Sequence, residues 1–241
     1  MSQTPKPIIR EVTDPTDPAL RDAHALLRRT FHKTELVSRT EWQESLTERG
    51  AGLWLDTQWH ILVAELEGDL IGVASGTYLG NVNIGVIGYL AVSARARGFG
   101  VGPRLRARLR TRFSRDARRI HGGPLEAIVG EVRPDNPWLR TLVRRDAVLA
   151  LDFDYHQPDL HRSGQPVPLV LYYESMTRVR RRLPTTLLRQ LLYTSWRRIY
   201  RISRPMSHAP FRRMLADLNG RTSIGKLTPA DLPALSARLA Q

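Results

Sequence analysis

The chain has 241 residues, contains no cysteine and carries a formal net charge of +14. Without cysteine it can form no disulfide, no thiolate metal site and no covalent acyl-cysteine intermediate. Its hydrophobic content of 41% suffices for a packed core. The chain has no run of about 18 apolar residues, which a membrane span would need, and the N-terminus has no apolar stretch typical of a signal peptide. We therefore expect a cytoplasmic protein.

The first part of the chain predicts a strand and two helices. Residues 8–12 form an apolar opening strand, and Asp17 is placed to cap a helix that has Pro18 at its first position. Apolar residues then recur at helical spacing as far as Phe31, and a second helix is expected over 39–49.

Three adjacent strands and a basic helix follow. Residues 60–67 and 70–78 flank the turn Gly68-Asp69 and predict a hairpin. Residues 83–92 supply the next strand. The basic segment 103–119 predicts a helix that begins directly after a glycine-rich turn.

The next part of the chain predicts three further strands and one helix. Residues 125–132 read as a strand that ends at a proline-rich turn, and residues 138–146 as a helix. Strands are expected over 148–155 and 167–173.

The C-terminal part of the chain is basic and helical. Residues 173–241 hold 14 Lys and Arg against three Asp and Glu, which suits an acidic partner. Residues 184–202 predict an amphipathic helix and residues 210–218 a short one. We expect the apolar face to pack on its own domain or on a second copy in a homodimer. A nucleic-acid arm or a membrane-surface helix is the less favoured alternative.

The glycine-rich turn between the strand and the basic helix is typical of an anion-binding loop. Gly98, Gly100 and Gly102 stand at alternate positions, and Arg95 and Arg97 precede them. Glycines let the backbone approach an anion, and the following helix directs its unpaired N–H groups to the same point. A nicotinamide-dinucleotide fold fits less well, because its fingerprint closes the first strand–helix turn of a βαβ unit.

The pattern Arg95-x-x-Gly98-x-Gly100 resembles the acyl-CoA pyrophosphate loop of the GNAT acyltransferase superfamily. The order of the predicted elements over 8–173 is similar to the GNAT order. The resemblance implies an α/β (α+β) fold with a mixed, mostly antiparallel central sheet flanked by helices. Residues 8–173 would form the acyl-CoA-binding N-acyltransferase domain, and 174–241 a basic α-helical extension.

The same resemblance implies how acetyl-CoA or another acyl-CoA is bound. Backbone N–H groups in the glycine loop would hold the pyrophosphate, the preceding strand would pair with the pantetheine arm, and an arginine early in the helix would reach the ribose phosphate. The residues expected to bind the cofactor are Leu90, Ala91, Val92, Arg95, Arg97, Gly98, Phe99, Gly100, Val101, Gly102, Arg104 and Asn136.

Two residues are candidates for the chemistry of acyl transfer. Glu131 lies near the end of its strand, where related enzymes reach the acceptor, and is either the general base or a partly exposed strand carboxylate. Many relatives carry a tyrosine acid where this chain has Val143, and histone-type relatives carry a glutamate near the position of Val86. Tyr155 is the nearest alternative acid, or else an aromatic residue of the core.

A short acidic segment raises the question of a metal. Asp152, Asp154, His156 and Asp159 lie close together, and alternation in a strand would put the first three on one face. They lack the ligand spacing that is typical of zinc, so we expect no metal. We interpret them as an acidic lip that attracts a cationic acceptor, or as surface polarity.

The resemblance therefore predicts an N-acetyltransferase that transfers an acetyl or other acyl group from acyl-CoA to an amine acceptor. Two alternatives remain open. One is a non-catalytic module that binds or senses acetyl-CoA. The other is an acyltransferase that takes its acyl group from an acyl carrier protein, whose acidic surface would suit the basic extension.

Overall fold

A computed structural model describes residues 6–160 and 166–239 of the chain. The chain divides into two compact units, one comprising residues 1–81 and 85–124 and the other residues 82–84 and 125–241. Both units combine antiparallel strands with helices, which confirms the predicted α/β class. The domain boundary expected between 173 and 174 stays a prediction.

The first unit has a four-stranded sheet in the order β1-β2-β3-β4. Its elements are β1 (Ile8–Val12), α1 (Ala19–Arg28), α2 (Arg39–Gly50), β2 (Thr57–Leu66), β3 (Asp69–Leu79), β4 (Ile84–Val92) and α3 (Val101–Asp116). Short 3-10 turns lie at Lys33–Glu35 and Ala94–Ala96, and a π-helical turn at Ala117–His121 follows α3. The order and type of these elements follow the sequence prediction.

The hairpin turn lies one residue before the predicted position. Leu66 pairs with Asp69, so the turn residues are Glu67 and Gly68, with φ angles of 52° and 86°. A two-residue turn with positive φ at both positions matches the twist of the two strands. Asp69 is consequently the first residue of β3 rather than part of the turn.

Helices cover both faces of this sheet. Helices α1 and α2 pack on one face, where Leu20, Trp42 and Ile61 belong to one buried apolar cluster. Helix α3 packs on the other face, where Phe113 lies against strand glycines. A Cβ atom at Gly85 would overlap the Phe113 ring, so the close approach of α3 requires glycine there.

A buried ionic network stabilises the first unit. His60 is 3% exposed, and its Nδ1 and Nε2 atoms lie 2.7 Å and 2.6 Å from carboxylate oxygens of Glu11 and Asp116. Arg49 and Arg112 lie 2.8 Å and 2.9 Å from Glu11. Burial opposes the charge of His60, but the hydrogen bonds to the two carboxylates outweigh it and raise the pKa of His60.

The second unit is built around strand β8. Its elements are β5 (Ala127–Val132), α4 (Pro137–Leu142), β6 (Val148–Ala150), β7 (Tyr155–Gln157), β8 (Val167–Ser175), β9 (Leu183–Pro184), α5 (Thr185–Arg198), α6 (Ala209–Asp217), β10 (Ser223–Ile224) and α7 (Leu232–Leu239). Strands β5, β6 and β7 all pair antiparallel with β8. Strands β9 and β10 form a separate two-residue ladder.

The single strand predicted over 148–155 is wrong. It is divided into β6 and β7 because the backbone between them turns to another partner. The N–H of Asp152 donates to the carbonyl of Gly225 at 3.0 Å, and Leu151 forms an isolated bridge with Lys226. These partners lie far along the chain, so the local strand pattern does not reveal them.

The C-terminal helices pack within the second unit. Leu188, Leu192 and Trp196 of α5 are buried, and the rings of Trp196 and Phe211 of α6 lie 4.9 Å apart. Helix α5 ends at Arg198, before the predicted end, and helix α7 has no sequence prediction. No helix in the part of the chain that the structure describes is long and apolar enough to cross a membrane.

Candidate functional site

The glycine loop connects the end of β4 to α3 through a tight turn. The N–H of Ser93 donates to the carbonyl of Ile71 at 2.9 Å, which anchors the start of the loop to β3. Gly98 and Gly100 then adopt φ angles of 84° and 72°. A Cβ atom at either glycine would meet nothing within 4 Å, so the left-handed backbone, and not packing, favours glycine here.

Several backbone N–H groups of the glycine loop lack a hydrogen-bond acceptor among the described residues. Within residues 6–160 and 166–239, no acceptor is bonded to the backbone N–H groups of residues 98–102. Pro103 has no N–H, and the ladder of α3 begins where the N–H of Arg104 donates to the carbonyl of Gly100 at 3.2 Å. Free N–H groups at the positive end of a 16-residue helix form an arrangement that can bind a phosphate.

The arginines near the loop are exposed and differ in their partners. Arg95 donates to Asp69 at 2.8 Å in an exposed ion pair, and Arg104 donates to the carbonyl of Pro7 at 3.0 Å. Arg97 and Phe99 are exposed beside the turn, with Phe99 at 74%. The positive charges therefore lie at the loop surface, where they favour an anion.

The end of β4 packs against the loop that follows it. The side chains of Leu90 and Val92 lie 3.7 Å and 3.6 Å from the position of a Cβ atom on Gly102, while Ala91 is buried. The strand end, the glycine turn and the first turn of α3 thus lie against one another. All of the predicted cofactor residues except Asn136 belong to these three consecutive segments, and Ala91 and Val101 are buried within them.

The two predicted catalytic residues contact each other in the second unit. Glu131 on β5 pairs with Leu171 of β8, and Tyr155 on β7 pairs with Leu169. Residues directly opposite in a sheet, and residues two apart along a strand, share a face. Glu131 and Tyr155 therefore lie on the same face on opposite sides of β8, and the Tyr155 hydroxyl donates to Oε1 of Glu131.

A third residue, which the sequence analysis missed, completes this cluster. The hydroxyl of Tyr200, two residues beyond the end of α5, donates to the same Oε1 of Glu131 at 2.5 Å. Burial, and then the charge of Glu131, raise the pKa of Tyr155 and of Tyr200 well above the usual value. Both phenols therefore keep their protons and act as donors to the carboxylate. The signal for Tyr200 is its position four residues after the buried Trp196.

The other positions that the sequence analysis singled out are found in a helix cap and in buried packing. The side-chain oxygen of Asn136 accepts from the N–H of Trp138 at 3.0 Å and caps α4, while its predicted contact with a cofactor stays a prediction. Val143, at the position where the sequence resemblance leads us to expect a tyrosine, is 3% exposed in an apolar cluster with Leu139. Val86 is buried in β4.

The acidic segment before β7 does not form a regular face. His156 Nδ1 lies 3.9 Å from the nearest carboxylate oxygen of Asp154, and Asp152 and Asp154 are exposed outside any strand. The shared strand face that alternation predicts is therefore wrong, because β7 begins only at Tyr155. Among the described residues, no group of three or more His, Asp or Glu is placed to hold a metal ion.

Comparisons with known proteins find similarity over part of the chain. Residues 21–122 match the model of the acetyltransferase (GNAT) family. A structure from Bacteroides thetaiotaomicron assigned to the GNAT family is similar in fold at 15% identity, with a TM-score of 0.58, over 81% of this chain and 99% of that chain. No curated protein matches the sequence.

Two further solved structures are similar to parts of the chain. Ribosomal-protein-alanine N-acetyltransferase from Brucella melitensis has a TM-score of 0.49 at 19% identity, over 70% of this chain and 99% of that chain. YncA from Salmonella typhimurium, solved with its cofactor acetyl-CoA, has a TM-score of 0.48 at 19% identity, over 72% of this chain and 95% of that chain.

Proposed function

We propose that this chain is an N-acetyltransferase that transfers the acetyl group of acetyl-CoA to an amine, because residues 21–122 match the model of the acetyltransferase (GNAT) family. The observation that carries the proposal is the loop after β4. Its N–H groups at residues 98–102 have no bonded acceptor in the described part of the chain, a helix follows them, and exposed arginines lie around the loop. This combination suits the pyrophosphate of CoA.

The residues of the loop and of β4 have defined roles in this proposal. The N–H groups of residues 98–102 bind the pyrophosphate, and Arg97 adds charge at the loop surface. The backbone of residues 90–92 pairs with the pantetheine arm, and an N–H near Leu90 polarises the thioester carbonyl. Fixing the thioester in this way removes much of the entropic cost of bringing it to the amine.

Glu131 takes the proton that the reaction releases. The neutral amine attacks the thioester carbon, a C–N bond forms and the C–S bond breaks. The nitrogen loses a proton to Glu131, directly or through a water, and the CoA sulfur leaves as a thiolate that takes a proton from the solvent to give the thiol. Tyr155 holds the carboxylate by its hydrogen bond, and its raised pKa makes it a poor acid toward the thiolate.

A second candidate function is an acetyl-CoA sensor without turnover. Two buried valines favour it, because Val86 and Val143 stand where relatives carry catalytic side chains. The two functions share the loop and differ only in the chemistry at the thioester. Both predict binding of acetyl-CoA, and only the first predicts release of free CoA when amines are added.

Acetyl-CoA binding and turnover test the proposal. Calorimetry measures the affinity of the purified chain for acetyl-CoA, and thiol release over a panel of primary amines measures transfer. Gly100→Ala forces alanine into a left-handed backbone and should weaken binding about tenfold, or about 1.4 kcal/mol. The matched control is Gly52→Ala, which has a φ of 68° in an open turn outside the loop.

Two results would count against the proposal. If wild-type protein does not bind acetyl-CoA, or binds it equally well with Ala at position 100, the loop is not the pyrophosphate site. If acetyl-CoA binds at the loop but no amine in the panel gives thiol release, the sensor function replaces the transferase.

A further inference from the structure

We propose that the C-terminal extension supplies Tyr200 as a positioning residue for the carboxylate of Glu131. The inference rests on the proposed function, which makes Glu131 the proton acceptor. It assigns the extension a part in acyl transfer, in addition to any role in binding a partner. The observation that carries it is the 2.5 Å hydrogen bond from the Tyr200 hydroxyl to Oε1 of Glu131.

Two phenol hydroxyls that donate to one oxygen of Glu131 fix the orientation of its carboxylate group. The hydroxyls of Tyr155 and Tyr200 both donate to Oε1 of Glu131. Rotation of the carboxylate about its last side-chain bond would break both hydrogen bonds. A general base that is held in one orientation loses less entropy on reaching the transition state.

The sequence of α5 explains why Tyr200 reaches this position. Leu188, Leu192 and Trp196 follow one another at intervals of four and lie along one side of α5, and Tyr200 comes four residues after Trp196, two residues beyond the end of the helix. The first three are buried. The N–H groups of Ile199 and Tyr200 both donate to the carbonyl of Ser195, at 2.9 Å and 3.1 Å, which holds the end of the helix and directs Tyr200 inward.

The backbone around Tyr200 is bonded back to α5. Arg201 has a φ of 55°, so the chain adopts a left-handed conformation directly after Tyr200, and the N–H of Ile202 donates to the carbonyl of Trp196 at 3.0 Å. The ring of Phe211 on α6 lies 4.9 Å from the ring of Trp196. The N–H groups of Tyr200 and of Ile202 are thus both bonded to the last turn of α5.

The test compares two tyrosines in different environments, one on α5 and one two residues beyond its end. Tyr200→Phe removes only the hydroxyl that donates to Glu131. The matched control is Tyr193→Phe, since Tyr193 lies on α5, the helix that precedes Tyr200, is 42% exposed and contacts Arg197. Thermal stability, the Kd for acetyl-CoA, kcat, KM and the pH dependence of kcat/KM are measured for both variants and for wild type.

We expect Tyr200→Phe to lower kcat about tenfold and to leave the Kd for acetyl-CoA unchanged. The acidic limb of the kcat/KM profile should move to higher pH, because one hydrogen bond that favours the charged carboxylate is lost. Tyr193→Phe should match wild type in every measurement. Incorporation of 3-fluorotyrosine at position 200, a stronger donor of wild-type shape, should move the limb to lower pH.

The outcomes separate the inference from the proposed function. If wild type is active and Tyr200→Phe keeps both kcat and the pH profile, the inference is wrong and the transferase stands. If Tyr200→Phe does not fold, an unchanged pH profile of the 3-fluorotyrosine protein overturns the inference. If wild type binds acetyl-CoA and transfers it to no amine, both are overturned.

Discussion

Replacement of Glu11 by glutamine tests the buried ionic network in the first unit. Burial alone would raise the pKa of Glu11, but the hydrogen bonds and charges of His60 and Arg49 outweigh it and lower the pKa to about 2. The Glu11→Gln variant keeps the shape of the side chain and removes its charge. His60, Arg49 and Arg112 then lose a carboxylate partner in a largely buried place.

The expected loss of stability follows from the shift in the pKa. A change in the pKa from 4.5 to about 2 corresponds to about 3.5 kcal/mol at about 1.4 kcal/mol per unit. The arginine side chains of the network are partly exposed, so screening by solvent reduces the figure to about 2 kcal/mol. The pKa of Glu11 is lowered on folding, so its contribution is present above pH 4.5 and is lost as pH falls toward 2.

Urea unfolding, followed by tryptophan fluorescence between pH 3 and 9, measures this effect. At pH 7 we expect Glu11→Gln to be about 2 kcal/mol less stable than wild type, and the difference should shrink below pH 4.5. The exposed residue Glu44 on α2 provides the matched control, Glu44→Gln, with no expected change. Equal midpoints for wild type and Glu11→Gln at pH 7 would refute the reasoning.

Further substitutions probe the second unit. Gly130→Ala should lower stability by about 1–3 kcal/mol in thermal unfolding, because a Cβ atom there would overlap the ring and hydroxyl of Tyr172. Gly123→Ala, whose Cβ would lie 3.9 Å from its nearest neighbour, is the control, and an equal loss in both would contradict the argument. Arg180→Gln removes a 2.6 Å ion pair from Glu126 and should cost about 1–3 kcal/mol in urea unfolding, whereas no loss would show that the pair is screened.

Local signals predict the glycine loop well. Positive φ angles at Gly98 and Gly100 are a property of a few neighbouring residues, and the strand before them and the helix after them each carry a clear pattern. The glycine loop, and its likeness to an anion-binding turn, could therefore both be recognised from the sequence. The sequence does not predict the exposed ion pair between Arg95 and Asp69, because the two residues are 26 positions apart and meet only in the folded chain.

The carboxylate cluster depends on contacts that are distant in sequence. Glu131 and Tyr155 meet only because both pair with β8 in a particular register. Tyr200 joins them because the end of α5 lies against the same face. A one-residue shift of either strand would move its side chain to the opposite face, so candidate residues can be named from the sequence but not their contact. The division of the predicted strand 148–155 has the same cause.

The C-terminal helices pack into the second unit, and this packing limits the ways in which their basic surface can be studied. A truncation after β8 would remove Tyr200 and uncover the apolar residues that α5 buries, so any loss of partner binding would be confounded with misfolding. Charge reversal at exposed positions such as Arg178 and Arg213 avoids this problem, because neither side chain contributes to the buried face. Point variants of that kind, in the full-length chain, are therefore the appropriate means to ask whether an acidic partner binds there.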